Sequence, residues 1–319
     1  MMREICEVFH WRRLVMRLAA LAALMTCLPT WADRPTQQAF SSPEEAAEAL
    51  ASAWHSGSTE ALLALFGPDG TKLVRSGDPI GEQIARSRLA AAYDEAHRIE
   101  NDGAGHAVII LGKDDWPYPI PLEMQGTRWR FDTKAGAKQI LDRRIGHHEA
   151  HAIHVCRAYV EAQLSYGTSH RTADGQPEFA QRIASSQGKR DGLYWKASGG
   201  TEDSPLGPLV AAADAANARS HGSAGKATSA PFHGYLFHIL TQQGKHAPGG
   251  AHDYVVGGRM TGGFALVAFP AEFGSSGVMT FIVNQNGVVY QKNLGPRTAE
   301  IARHLRAYDP DESWKPAVP

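Results

Sequence analysis

The hydrophobic pattern of the first third of the chain changes from helical to strand-like spacing. Residues 42–45 (Ser-Pro-Glu-Glu) predict a helix start, since Ser can cap free N–H groups and Pro fits the first turn. Helical spacing then follows in three segments, which start near 43, 59 and 78. Strand-like segments come next: 97–101, 106–111, 118–125 and 128–132. This order predicts an α+β domain from about 41 to 133.

The rest of the chain has a long helical stretch followed by strands. We predict helix from Lys134 to about Tyr166 with a break at Gly146, because glycine is a poor helix former. Residues 167–230 are irregular, with one helix expected at 208–219. Strand-like segments follow: 234–241, 253–256, 264–269, 278–283 and 287–292. A helix at 298–308 closes this second predicted α+β domain, 134–310, and leaves residues 311–319 as a tail.

The first 32 residues have the pattern of a secretory signal. Basic residues precede an apolar run at 18–28, and the small residue Ala32 precedes Asp33. The run is well short of the roughly 20 residues that span a bilayer. We therefore expect cleavage before Asp33, a periplasmic or extracellular protein, and no transmembrane segment in the mature chain.

Two residues leave alternatives open in this leader. Translation could begin at Met16 instead of Met1, because acidic residues are unusual upstream of such a signal. Cys27 raises the alternative of a lipoprotein, but the residue before a lipidated Cys is normally Gly, Ala or Ser, and here it is Thr26. The pattern favours a cleaved signal over lipidation.

Charge and cysteine content narrow the class of protein. The chain has 32 Lys and Arg against 33 Asp and Glu, which argues against a nucleic-acid binder because such proteins carry a basic excess. After cleavage Cys156 is the one cysteine left, so no internal disulfide is expected in the mature chain.

Six motifs along the chain point to one family. They are Asp-Trp-Pro-Tyr-Pro at 115–119, Arg-Arg-Ile-Gly at 143–146, Cys-Arg-Ala-Tyr-Val at 156–160, Phe-His-Gly-Tyr-Leu-Phe at 232–237, Tyr-Val-Val at 254–256 and Gly-Ser-Ser-Gly-Val-Met-Thr-Phe at 274–281. With these motifs the chain resembles the secreted bacterial domain of unknown function 2950 family. The resemblance implies no established activity.

Each predicted domain also resembles a known fold. The helices and the meander that ends at 126–132 are similar to the cystatin-like cone of the nuclear transport factor 2-like superfamily. The segment 149–290 resembles the globular part of type IV pilins and pseudopilins, through Ala162, Gln163 and Tyr166 at the end of a helix and Gly-Tyr-x-Phe at 234–237. Pilins carry an apolar N-terminal helix where this chain has a complete domain, so we do not expect a filament subunit.

Histidines are the first candidate chemistry. His147, His151 and His154 are spaced so that their rings can share one helix face, and neutral imidazoles bind Zn²⁺, Cu²⁺ or Ni²⁺. We take them as a candidate weak metal site and expect no resident cofactor. The competing interpretation is a solvated polar face of a long helix.

Cys156 and a pair of adjacent serines are the candidate nucleophiles. Cys156 falls on the apolar spacing of a helix, which favours a buried position over a catalytic one. Ser275 and Ser276 lie between Gly274 and Gly277, but a strand follows where a nucleophile elbow needs a helix. We expect a tight turn in which both glycines adopt positive φ.

Two surface features are candidates for recognition. The loop 244–253 is rich in Gly, Pro and His, and His246, His252 and Asp253 make it a candidate binding loop, although a plain connection is the simpler interpretation. Trp116 and Tyr118 are expected to be exposed in a turn, and they form a candidate aromatic contact surface, either between the two domains or for a partner.

These patterns favour a non-catalytic binding or assembly module with a protein or cell-envelope partner. The alternative is a hydrolase or metal-dependent enzyme at the domain junction, which would use the histidine helix and the loop 244–253. Convergent titratable groups in a cleft would favour the enzyme.

Overall fold

The computed structural model describes residues 37–75, 79–195, 204–206 and 231–318. The chain divides into two compact units, Met1–Ala137 and Lys138–Pro319. Helices and antiparallel strands occur in both, so the fold is α+β. The predicted signal at 1–32 and the predicted helix at 208–219 lie outside the described residues.

In the first unit, helices come first along the chain and the strands of a sheet follow. Its helices are α1 (Pro43–Ser56), α2 (Thr59–Phe66), α3 (Thr71–Val74) and α4 (Pro79–Glu95), with a 3-10 turn at Pro68–Gly70. The Ser42 hydroxyl accepts the N–H of Glu45 and caps α1, as the sequence predicts. Gly57, with φ of 64°, ends that helix in the left-handed conformation that glycine adopts without strain.

The strands of the first unit form an antiparallel meander. They are β1 (His97–Asn101), β2 (His106–Leu111), β3 (Trp116–Pro117), β4 (Leu122–Gln125) and β5 (Arg128–Phe131). Their order is β1-β2-β4-β5, and β3 also pairs with β2. The predicted strand 118–125 is therefore too long, because Pro119 and Pro121 have no N–H to donate to a neighbouring strand.

The second unit contains most of one long helix, α5 (Thr133–Ser169), of 37 residues. The predicted break at Gly146 is wrong. Gly146 lies in the helix interior at an exposed position, where glycine costs about 1 kcal/mol relative to alanine but need not end a helix. Packing of the buried face stabilises the helix across it.

The strands that the structure describes in the second unit form a five-stranded, a three-stranded and a two-stranded sheet. They are β6 (Tyr235–Leu240), β7 (Gln242–Gln243), β8 (His252–Asp253), β9 (Val255–Val256), β10 (Arg259–Met260), β11 (Ala265–Pro270), β12 (Thr280–Asn284), β13 (Tyr290–Lys292), β14 (Ala307–Tyr308) and β15 (Lys315–Pro316), with a helix α6 (Thr298–His304) before β14. The main sheet has the order β15-β13-β12-β11-β6 and is antiparallel throughout. Cys156 and Tyr159 of α5 share one buried core with Leu266 and Phe281 of this sheet.

Two predicted boundaries near the C-terminus differ from the structure. The closing helix was expected to reach 308, but it ends at His304 and the chain continues into β14, which pairs in parallel with β7. Part of the predicted tail is β15, which pairs with β13. Among the helices that the structure describes, none is long and apolar enough to cross a bilayer.

Candidate functional site

Two histidines on α5 contact each other directly. His147 and His151 are one helical turn apart, and their Nε2 atoms lie 3.0 Å from each other. The ring centroids are 4.4 Å apart and the rings are nearly perpendicular. At that distance one nitrogen carries a proton and donates it, while the other accepts.

A third histidine comes from the turn that precedes β6. The His233 ring stacks on the His151 ring, with centroids 4.2 Å apart and an interplanar angle of 8°. It is also perpendicular to the ring of His147, at 6.4 Å. The turn is closed by two backbone hydrogen bonds between Phe232 and Tyr235, of 2.8 and 3.0 Å.

The turn at His233 is held closely against the helix. His148 Nδ1 donates to the carbonyl oxygen of Ser276 at 2.9 Å. A Cβ at Gly234 would lie 2.6 Å from that same Nδ1 and 2.9 Å from the Ser276 Cβ, so only glycine fits there. We call His147, His148, His151 and His233 the histidine cluster.

The surroundings of His151 and His233 favour the uncharged form of these two rings. Burial lowers the pKa of His151, and the neighbouring histidines lower it further. Burial also lowers the pKa of His233, with His147 and His148 adding to the effect. The carboxylate of Glu149, on the same helix, instead accepts the N–H groups of Val278 (2.9 Å) and Met279 (3.0 Å).

His154, the third member of the predicted metal site, lies at an exposed position of α5. It lines a cleft of about 340 Å³ together with Glu149, Arg157 and Phe281. The ring contacts join His147 and His151 to His233. Within the described part of the chain, no group of three or more His, Cys, Asp or Glu side chains is arranged to hold a metal ion as it stands.

The candidate binding loop, residues 244–253, is tied to the rest of its unit. The ring nitrogen Nδ1 of His246 lies 3.0 Å from the Asp309 carboxylate. The same carboxylate accepts the backbone N–H of His246 at 2.8 Å. His252 contacts the carbonyls of Gly250 and Gly262, at 3.1 and 3.2 Å. The Asp253 carboxylate accepts from Gln242 at 2.9 Å. All three predicted residues therefore shape the loop, and all three are exposed.

The two aromatics of the candidate contact surface differ in exposure. Trp116 is 43% exposed, but Tyr118 is only 7% exposed, so the expectation that both face solvent is wrong for Tyr118. The Tyr118 ring packs edge-on against Trp54 of α1, with centroids 5.3 Å apart. Burial raises the pKa of Tyr118. Tyr118 belongs to the core of the first unit.

Cys156 and Ser276 both have structural roles. Cys156 is fully buried, as predicted, and burial raises the pKa of its thiol to about 12. The Ser276 hydroxyl donates to the Glu272 carbonyl at 3.1 Å and accepts the Glu272 N–H at 3.0 Å. These bonds close a turn, as predicted.

The reason for Gly277 in that turn differs from the prediction. Gly274 has φ of 76°, as expected, whereas Gly277 is not among the residues with positive φ. A Cβ at Gly277 would instead lie 2.3 Å from the Tyr235 hydroxyl. Glycine is needed at 277 for space and at 274 for backbone conformation.

Two features of the site and its support are not apparent from the sequence pattern. His233 lies in a family motif, but its contact with α5 depends on how a turn packs against the helix, which periodicity does not reveal. Gln163 lies near the end of the predicted helix, and it is fully buried and bonds both backbone groups of Ala180. A polar residue on an apolar helix stripe is the signal that could have identified it.

A histidine outside the cluster should make the protein sensitive to acid. His238 is half-buried in β6 and its Nε2 donates to the Leu305 carbonyl at 3.0 Å. Burial lowers the pKa of His238; the Leu305 bond opposes this effect and Arg306 adds to it. Because the folded pKa lies below the unfolded value of about 6.5, the free energy of unfolding should fall as pH drops below that value.

Urea unfolding at pH 7.5 and pH 5 measures this effect. His238→Gln keeps a neutral donor and should lose less stability between the two pH values than the parent chain. His304→Gln, at an exposed position of α6, should lose as much as the parent. Equal acid losses in His238→Gln and the parent would contradict the assignment.

The comparisons with known proteins agree with the motifs. The model of the DUF2950 family, described as a protein of unknown function, matches residues 37–317. No curated protein and no solved structure matches the chain. Since the match covers nearly the whole chain, the protein belongs to the DUF2950 family.

Proposed function

We propose that this protein is an exported, non-catalytic binding or assembly module of the bacterial cell envelope. The observation that carries the proposal is that Cys156 and Ser276, two of the candidate nucleophiles, both have structural roles. The Cys156 thiol is sealed in the core, and the Ser276 hydroxyl is bonded to the backbone of Glu272. Catalysis by either would require an activated group next to a base, in reach of substrate.

The proposal includes export and the finer fold assignments. The leader at 1–32 would direct the chain to the periplasm or the cell surface, with cleavage before Asp33 preferred to lipidation of Cys27. Four helices followed by a meander support a cystatin-like first unit. A 37-residue helix that shares a core with an antiparallel sheet supports a pilin-like second unit.

Recognition would use surfaces that are exposed and held in place. Trp116, on the short strand β3, offers a large aromatic side chain to a partner. In the second unit, the loop 244–253 presents His246 and His252 on a framework anchored by Asp309. The balanced charge favours a protein or envelope component over a nucleic acid.

Capture from envelope extracts tests this function. The chain is expressed in a bacterium with its native leader, and proteins cross-linked to it are identified. Mass spectrometry of the exported chain is expected to find Asp33 at the N-terminus. Trp116→Ala should reduce capture of a specific envelope partner severalfold or more. Met124→Ala, which changes an equally exposed apolar residue (45%), is the matched control and should capture normally.

Two outcomes would contradict the proposal. One is an acylated Cys27 together with capture that is indifferent to Trp116→Ala. The other is turnover of an ester or amide substrate that disappears in Ser276→Ala while the variant keeps the melting temperature of the parent.

A further inference from the structure

The spacing of two nitrogens in the histidine cluster matches that of two ligands on one metal ion. His147 and His151 bring their Nε2 atoms to 3.0 Å. Imidazole nitrogens bind Zn²⁺ at about 2.0–2.1 Å, so two adjacent ligands of one ion lie about 3 Å apart. The same two nitrogens can share a proton or an ion without moving the helix.

A third imidazole is held beside this pair at a conformational cost. His233 has φ of 43°, a left-handed conformation that residues other than glycine adopt uncommonly. Such strain costs of order 1 kcal/mol or more and persists only where the surroundings impose it. Here the hydrogen bonds of Phe232 and Tyr235 and the close approach of Gly234 to His148 impose it. The strained residue places its ring on His151.

The ligand chemistry of the cluster selects the class of metal. Its members are imidazoles alone. The nearest acidic residue on the helix, Glu149, accepts two backbone N–H groups through Oε1, which holds its carboxylate against the chain at Val278 and Met279. Imidazole without carboxylate suits Cu²⁺, Ni²⁺ and Zn²⁺ and disfavours Mg²⁺ and Ca²⁺. His147 is exposed, so an ion from solution can reach the pair.

We propose that His147 and His151 chelate a divalent transition-metal ion and that His233, after rotation of its side chain, is the third protein ligand. Water fills the remaining positions. This site differs from the one that sequence spacing indicates, because His233 takes the place of His154. This inference goes beyond the proposed function and does not depend on it. If the chain bound no metal, the proposed binding or assembly function would still stand.

The test uses the full mature chain without a histidine tag, stripped with a chelator and titrated with Cu²⁺, Ni²⁺ and Zn²⁺ by calorimetry. We expect one ion per chain, micromolar affinity, and Cu²⁺ bound most tightly. His147→Ala and His151→Ala should each weaken binding at least about tenfold, since loss of even an outer partner of a metal ligand typically costs 10–100-fold. His154→Ala, on the same helix, is the matched control and should bind as the parent does.

Pulsed electron paramagnetic resonance of the Cu²⁺ form tests the third ligand, because it counts coordinated imidazoles. Three are expected in the parent and in His154→Ala, and two in His233→Ala. Thermal melts of the metal-free variants measure whether each variant is folded. If His151→Ala does not fold, the His147→Ala variant still tests the site, because His147 is exposed and its loss should not disturb the core. Unchanged metal affinity in His147→Ala would overturn the site. If His154→Ala lost a coordinated imidazole and His233→Ala lost none, the choice of His233 as third ligand would be overturned.

Discussion

Gly277→Val is expected to lower the free energy of unfolding by about 2–4 kcal/mol. A Cβ at this position would lie 2.3, 2.6 and 2.7 Å from three atoms of the Tyr235 ring and hydroxyl. Tyr235 is fully buried, and its hydroxyl donates to the Met279 carbonyl at 2.8 Å, so the ring cannot move aside freely. Overpacking of a core costs about 1–3 kcal/mol and a lost hydrogen bond about 1 kcal/mol. Urea unfolding monitored by circular dichroism measures the difference.

Matched variants separate the two reasons for glycine in this turn. Asparagine tolerates the left-handed conformation but carries a Cβ. Gly274→Asn should therefore be mild, since nothing lies within 4 Å of a Cβ there, and Gly277→Asn should be severe. Ser276→Ala should change stability little, because the hydroxyl is exposed. Equal and mild effects of the two asparagine variants would show that the Tyr235 contact does not matter.

Gln163→Leu is the second variant with a large expected effect, about 2–4 kcal/mol of lost stability. The Gln163 side chain donates to the Ala180 carbonyl at 2.8 Å and accepts the Ala180 N–H at 2.9 Å. It also donates to the Tyr159 hydroxyl at 3.0 Å. All these groups are buried, and each polar group left without a partner costs about 1–3 kcal/mol. Thermal and urea unfolding of the full chain measure the loss.

An exposed glutamine provides the control for this variant. The Gln181 amide donates to the Gly258 carbonyl at 2.9 Å, with similar geometry but in contact with solvent. Gln181→Leu should change stability by no more than about 0.5 kcal/mol, because water replaces the lost bond. If both leucine variants lost the same stability, burial would not be the reason for the effect at Gln163.

Local chemistry was sufficient to predict much of the first unit. Residues 42–45 predict the start of α1, and Ser42 caps the helix there because its own side chain supplies the acceptor. This prediction depends on residues a few positions apart.

Predictions that needed distant residues were incomplete. Gly146 does not break α5, because burial of Cys156 and Tyr159 against the sheet stabilises the helix as a whole. Residues 315 and 316 join the sheet through pairing with β13, which their own sequence does not indicate. Tyr118 is buried because Trp54 of α1 packs against it.

The sequence by itself determined the α+β class, most helices and strands, the family, and the candidate pair His147 and His151, because spacing along one helix places both rings on one face. Only the tertiary structure decided that the partner of this pair is His233 and that Gly277 makes room for Tyr235. Those contacts join segments more than 40 residues apart, and their geometry depends on the docking of turns against a helix and a sheet. Hydrophobic periodicity reports which face of an element is buried, but it carries no information about which distant residue lies against that face.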